Sequence, residues 1–416
     1  GERIMGRVTV NNLQEGMVLE EDLRAPNGRF ILGKGVTLKE KYIRMFKIWG
    51  ITGADVEGVE DGEVVRRALL EEDAIRRSRS YVDTYFPPED AEDVCASAVR
   101  SFCVRRFAEE FASGTPPSPL PEVKSLPRPP EGHFGRSFSA YALAKDEVRL
   151  FSFPDIYFKI QEVINSPISS ATSIAKVVGN DPNLAARLLK LVNSSFYGFP
   201  NPIQSIPRAI AIIGSNELTS LALAVSTMKV FKNVPKEYVD MKSFWRHSIA
   251  CGVFSRLLAY NKRLRSEERF FLAGLLHDLG RILLYTKAPN EMTYALELSL
   301  FEHIPLWRAE KRVFGFDHTA VGKTLMEEWR IPRGISLLCD SHHNPTSEEA
   351  PEEAVFVHLA DYLANSLRIG TSGSLYFSGV DRALWELLEL DEGDVEAVLV
   401  QGERQIREIM NIFLMT

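Results

Sequence analysis

Residues 270–285 read FFLAGLLHDLGRILLY, and the adjacent pair His277 and Asp278 sits at the middle of the stretch. Leu272, Leu275, Leu276, Leu279, Ile282 and Leu283 surround the pair on every side of a helical wheel. A segment that is apolar all round predicts a buried helix. A carboxylate is costly to bury unpaired, so Asp278 needs a cation, a metal ion or strong donors beside it. Imidazole nitrogen from His277 suits first-row transition metals, and the carboxylate adds a harder oxygen. For an isolated His–Asp dipeptide a buried hydrogen bond is the simpler reading, so the rest of the chain decides.

The chain has 416 residues, 45% hydrophobic and 25% charged, which leaves room for two or three domains of ordinary globular composition. A net charge of −7 supplies no overall field to attract nucleic acid or an anionic membrane. Cys95, Cys103, Cys251 and Cys339 lie far from any metal-type or redox-type spacing and read as reduced, packed thiols. No leader-like segment and no apolar run of the roughly 20 residues of a membrane span is visible. The expectation is a cytoplasmic chain.

A small α/β unit is expected over residues 1–60. Pro26-Asn27-Gly28 signals a turn before a short strand Arg29–Leu32. Thr37 with Glu40 three residues later makes a capping box for a helix to Trp49, stopped by Gly50, and a last strand follows over Ile51–Val56. Residues 61–112 read as a charged helical connector. Its pairs Arg66-Arg67, Arg76-Arg77 and Arg105-Arg106 are interspersed with acidic residues, which describes a solvated helix surface better than a nucleic-acid face. Residues 113–135 include GTPPSPLPEVKSLPRPPEGHFG, a proline-rich linker in which His133 is expected to be exposed. From about 149 to 370 the pattern is helical. Phe153-Pro154 opens a helix to Ile164, Thr172 caps another ending at Gly179, and Asp181-Pro182 starts a third. Ile206–Ile213 and Glu217–Phe231 form a further pair divided by Gly214, and residues 371–416 read as a closing helical segment.

Two stretches carry a resemblance. DPNLAARLLKLVNSSFYG (181–198) and PRAIAIIG (207–214) resemble the first half of HDOD domains, the HD-related output domains of bacterial signalling proteins. LQEGMVL (13–19) with PNGRFILGKGVTLKEKYIRMFKIWGI (26–51) resembles the small α/β module found before HD-type signalling domains. The resemblance implies a mainly α chain, with an all-helical HD-type domain preceded by a small α/β module and a helical, proline-rich connector.

The second half places polar residues on apolar helical faces. His247 shares a face with Phe244, Cys251, Phe254 and Leu258, and His318 follows the N-cap candidate Asp317. Ile335, Leu338, Cys339 and His342 fall at i, i+3, i+4 and i+7, with His343 beside them; Asp361 lies on the side of Val357 and Ala364. Five histidines and two aspartates at such positions are hard to satisfy without a cation. The order H…HD…H…HH…D resembles the HD superfamily of metal-dependent phosphohydrolases. By that resemblance His247, His277, Asp278 and Asp361 match the ligands of a first metal. Asp278 would bridge to a second metal held by His318, His342 and His343, as in HD-GYP phosphodiesterases. Iron or manganese suits such donors, as one ion or two. His358, three residues before Asp361, is a candidate supporting partner of a ligand.

The chain departs from that pattern in two places. NPTSEEAP (344–351) stands where HD-GYP enzymes carry their GYP loop, and Ser243 stands where those with a third metal carry Glu. Arg281 occupies the place of a phosphate-contacting Lys, and a helix-end salt bridge would explain it as well. Two functions stay open. One is a signalling output module working through a regulatory protein partner or a nucleotide second messenger. The other is a metal-dependent phosphohydrolase acting on a nucleotide or cyclic dinucleotide, with Asp278 as its catalytic bridging residue. The missing loop and the HDOD half favour the first.

Overall fold

A computed structural model of the chain describes all residues except 1–5, 11–12, 26–29, 57–61, 134–136, 149–154, 167–169, 231–238, 265–266 and 415–416. The expected turn at Pro26-Asn27-Gly28 and the expected helix start at Phe153-Pro154 therefore lie outside the described residues. So do the side chains of Arg66 and Arg67. The chain divides into two compact units. The first joins Gly1–Leu120 with Val380–Arg404, and the second joins Pro121–Gly379 with Gln405–Thr416.

The first unit opens with β1 (Gly6–Thr9), β2 (Leu23–Arg24), β3 (Phe30–Leu32), α1 (Glu40–Ile48) and β4 (Gly53–Val56). β1 pairs antiparallel with β4 and β2 with β3, giving two two-stranded sheets. They close on a core of Leu13, Leu19, Leu38, Phe46, Ile51 and Val56, to which α1 contributes Ile43 and Phe46 one turn apart. The capping box at Thr37 does not form. Thr37 is bridged to Val18 in extended backbone, and Leu38 N donates to Met17 O at 2.6 Å, so α1 starts at Glu40 with no side-chain cap. α2 (Gly62–Asp83) and α3 (Val94–Ala112) follow, with a 3₁₀ turn at Pro88–Glu92 between them. Arginines here face carboxylates: Arg77 lies 3.9 Å from Asp73, Arg105 2.9 Å from Glu396 and Arg106 2.5 Å from Glu403.

The second unit is helical: α4 (Ala140–Val148), α5 (Asp155–Ile164), α6 (Ala171–Gly179), α7 (Pro182–Val192), α8 (Ile206–Ile213), α9 (Ser215–Val230), α10 (Met241–Asn261), α11 (Glu268–Leu276), α12 (Leu279–Lys287), α13 (Pro289–Glu302), α14 (Leu306–Phe314), α15 (His318–Glu328), α16 (Arg333–Ser341) and α17 (Ala354–Ser366). α18 (Arg382–Leu388) and the start of α19 (Glu392–Leu414) return to the first unit. Several starts are chemically marked. Asp181, Ser205 and Asp240 each accept a backbone N–H in the first turn. α6 is capped by Ser170 and not by Thr172: Ser170 is extended and accepts from Ser173 N, which leaves Thr172 inside the helix. His133 is half-buried rather than exposed, its ring edge-on to Tyr294 at 5.8 Å between centroids. Among the described residues no single helix is long and apolar enough to cross a membrane.

All sixteen residues of 270–285 are buried, as their apolarity requires, but they do not form one helix. The helix breaks at the His277–Asp278 pair, with α11 ending before it and α12 starting after it. On a continuous helix, neighbouring side chains point about 100° apart. At Asp278 the backbone instead turns to φ −99° and ψ 6°, so both side chains reach one cluster.

Candidate metal centre

α10 and α17 pack closely on α11, while α15 packs on α12 and α16. Each of these elements delivers donors toward the break. His247 and Cys251 stand one turn apart on α10, and Asp361 projects from α17. His318 opens α15 behind its N-cap Asp317, and His342 and His343 follow the end of α16. His247, His277, His318 and His342 are at most 1% exposed and Asp278 2%.

The first group forms around His277. His247 Nε2 lies 3.1 Å from Asp361 Oδ1 and 3.6 Å from Asp278 Oδ2, and His277 Nε2 lies 3.6 and 3.2 Å from the same two oxygens. The second group is His318, His342 and His343, whose ligand atoms fall within 4.8 Å of one another. Asp278 connects the two, because its Oδ1 is 2.8 Å from His318 Nε2. The structure thus brings together all seven residues that the sequence selects as metal ligands.

Their hydrogen bonds determine which ring nitrogens face inward. His277 Nδ1 donates to Gly274 O at 2.7 Å, and His342 Nδ1 donates to Cys339 O at 2.6 Å. A carbonyl only accepts, so both protons are fixed on Nδ1 and both Nε2 atoms turn lone pairs toward the cluster in the neutral rings. His277 Nε2, His342 Nε2 and His343 Nε2 are buried with no hydrogen bond, and Asp278 Oδ1 has only the 2.8 Å approach of His318 Nε2. Buried polar atoms left in this state are rare, and three of them converging on a carboxylate fit a bound cation. Donors bonded to one ion at about 2.0–2.2 Å stand roughly 3–3.6 Å apart, which the first group matches. His358, outside the donor set, donates from Nδ1 to His342 O at 2.7 Å and so steadies the backbone that carries His342.

Sequence reasoning missed Glu310. It is wholly buried on α14, where its Oε2 accepts from His318 Nδ1 at 2.6 Å and from His318 N at 3.0 Å. Its Oε1 accepts from Arg281 Nε at 2.8 Å. The signal was available: Leu306, Ala309 and Val313 mark the buried face of α14, and Glu310 lies on it. A carboxylate behind a ligating histidine fixes its ring and raises its basicity. Arg281 is itself buried, donating from Nη1 to Asp278 Oδ2 at 3.0 Å and to the Ser372 hydroxyl.

Protonation follows from these contacts. Burial disfavours a charged His277, but Asp278 and Asp361 outweigh it and lift His277 to about 10. Burial and Arg281 also work against a charged His318, yet Glu310 and Asp278 raise it to about 9. Glu310, despite burial, is lowered to about 2 by His318 and Arg281. His342 falls to about 3 through burial and the charges on His277 and His318. Protons thus hold the carboxylates' charge in the ion-free protein, and a metal ion would displace them.

The segment after α17 covers the cluster. Tyr285 OH donates to Ser372 O at 2.7 Å, Thr371 N to Ser243 O at 3.2 Å, and Leu306 N to Ser374 Oγ at 3.1 Å. Beneath it remains a cavity of about 30 Å³, lined by Arg281, Trp307, His343, Asp361, Asn365 and Ser372 among others.

Comparison with known proteins agrees with this architecture. Residues 150–345 match the HDOD domain family. An uncharacterized protein of Treponema pallidum (strain Nichols) is 26% identical over 257 residues, covering 61% of this chain and 47% of the relative. The chain thus spans about half the length of that curated relative. The crystal structure of an HDOD domain protein with unknown function from Geobacter sulfurreducens is similar with a TM-score of 0.53 and 24% identity, over 66% of this chain and 99% of that one. A structure from Shewanella amazonensis SB2B that carries the name of a phosphohydrolase gives 0.51 and 20%, over 65% and 98%. At these identities the structural likenesses show the fold.

Proposed function

Starting from a chain whose residues 150–345 form an HDOD domain, we propose that it is a signalling output protein whose His/Asp cluster binds a divalent metal for structure or sensing. The cavity carries this reading. Sites for small ligands enclose roughly 300–1,000 Å³, whereas the space beside the complete donor set is about 30 Å³, room for about a water molecule. His247, His277, Asp278 and Asp361 would hold one ion. Asp278, His318, His342 and His343 would hold a second, with iron or manganese suited to both sets. The output would pass through a regulatory protein partner or a nucleotide second messenger that acts on the covering segment.

A second reading, hydrolysis of a phosphoester in a nucleotide or cyclic dinucleotide, is favoured by the completeness of the donor set. A bound metal would supply Lewis acidity toward a phosphoryl oxygen. The chain's own part would be to orient His277 and His342 through their Nδ1 bonds and to set the Arg281 guanidinium beside Asp278. Metal analysis and turnover assays on the same protein, loaded with iron or manganese, separate the two. Bound metal without turnover of cyclic dinucleotides or nucleotide monophosphates is the expected result. Metal-dependent turnover that disappears in Asp278→Asn would put the enzyme reading in its place.

A further inference from the structure

We infer that Cys251 is a metal ligand: its thiolate joins His247, His277 and Asp361 to make a sulfur-containing first position that favours iron or zinc over manganese. This rests on the reading that the cluster binds metal, and it names a donor outside the His/Asp set.

Cys251 follows His247 by one turn on α10, so both side chains leave the same helical face. Its Sγ lies 3.6 Å from His247 Nε2 and 3.9 Å from Asp361 Oδ1. The four ligand atoms of His247, Cys251, His277 and Asp361 are all within 4.8 Å of one another. Metal–sulfur bonds of about 2.3 Å and metal–nitrogen or metal–oxygen bonds of about 2.0–2.2 Å put tetrahedral sulfur-to-N/O edges near 3.6 Å and the remaining edges near 3.4 Å. The observed sulfur edges of 3.6 and 3.9 Å, and the others of 3.1 and 3.6 Å, are of that size. The buried, unpartnered Nε2 of His277 independently points to a ligand in this space.

The other thiols show the contrast. Cys339 Sγ faces Ala273 O at 3.3 Å and Cys95 Sγ faces Leu390 O at 3.4 Å, each in position to donate its S–H to a carbonyl. Cys251 alone among these three faces imidazole and carboxylate. Its backbone is held in place as well. Gly274 passes so close that an added Cβ would come within 2.5 Å of Cys251 O, so α11 holds the backbone from which the thiol projects. On metal binding the sulfur forms the metal–sulfur bond and its proton leaves to solvent. The donor set gains a soft ligand, which manganese takes poorly and zinc and ferrous iron accept.

X-ray absorption at the zinc edge, on the full chain loaded with zinc alone, tests this without an activity readout. Expected is a sulfur shell at about 2.3 Å, present in wild type, lost in Cys251→Ser and retained in Cys339→Ser. The preference for zinc over manganese should fall at least about tenfold in Cys251→Ser. A zinc-loaded wild type with only nitrogen and oxygen neighbours overturns the thiolate ligand and leaves the metal-binding reading standing, whether or not the variant folds. A wild type that retains no zinc, iron or manganese overturns both.

Discussion

Glu217 shows how a single residue away from the cluster can make stability depend on pH. Tyr197 OH donates to its carboxylate, and Arg256 lies over the rings of Phe196 and Tyr197 at 4.0 and 5.0 Å. Burial raises Glu217 to about 7; the Tyr197 bond and Arg256 pull it down, and Glu268 pushes it up. The folded state therefore binds this proton more tightly than the unfolded chain, whose carboxyl titrates near 4.5. The stability it contributes is complete below 4.5 and lost as pH rises through 7. Urea unfolding should show a wild-type-minus-Glu217→Gln difference that falls across this window, by roughly 1–2 kcal/mol for a partly screened group. At this scale the seven candidate ligands were legible because His247, His342 and Asp361 fall on apolar helical faces and the order of all seven matched the HD resemblance. Glu310 was overlooked because its neighbours in LWRAEKRVF are charged, and the run reads as solvent-facing until the helix is turned to show Leu306 and Val313 beside it.

Between elements, the decisive distance is that of α12 from α15. A Cβ on Gly280 would stand 2.0 Å from His318 O and 2.6 Å from Gly322 N, so only glycine lets the two backbones meet there. Gly280→Ala should push α15 away, cost roughly 1–3 kcal/mol, and carry His318 out of reach of Asp278. Thermal unfolding and metal stoichiometry should both fall, while Gly334→Ala, a helical position with nothing within 4 Å, should leave the stoichiometry unchanged and raise stability slightly. Helices and their order could be read from apolar spacing and from Asp181 and Asp317, whose side chains do cap. The break within 270–285 could not. Its cause is the demand that His277 and Asp278 face one cluster, a tertiary requirement that leaves no trace in a stretch apolar on all sides. Thr37 and Thr172 failed as caps for a related reason: pairing with Met17–Leu19 holds Thr37 extended, and Ser170 starts α6 first.

For the molecule as a whole, residues 115–130 contain no helix or strand and are mostly exposed, and the division between the two units falls within them at Leu120–Pro121. Trypsin should cut first after Lys124, since Arg128 is followed by Pro129 and that bond resists the protease. Early cleavage within the helical unit instead would show that this stretch is held more firmly than its exposure suggests. The first unit takes in Val380–Arg404, with Val380 N donating to Asp90 Oδ1 at 3.0 Å. No periodicity read along the chain can reveal such a return, because nothing in residues 380–404 refers to a partner 290 positions earlier.

The covering segment has a kinetic consequence. His247, His277, Asp278, His318 and His342 are buried and about 30 Å³ lies beside them, so a bound ion should be released only when the Ser372 and Thr371 bonds open. Release then runs at the rate of local opening, whatever the thermodynamic affinity. Added chelator should strip the folded protein at a rate that levels off as its concentration rises, and Ser372→Ala should raise that plateau. A rate that keeps climbing in proportion to chelator would mean the ion is reached directly from solvent. Under the levelling behaviour the protein acts as a timer: once loaded, it keeps its metal through brief swings in supply.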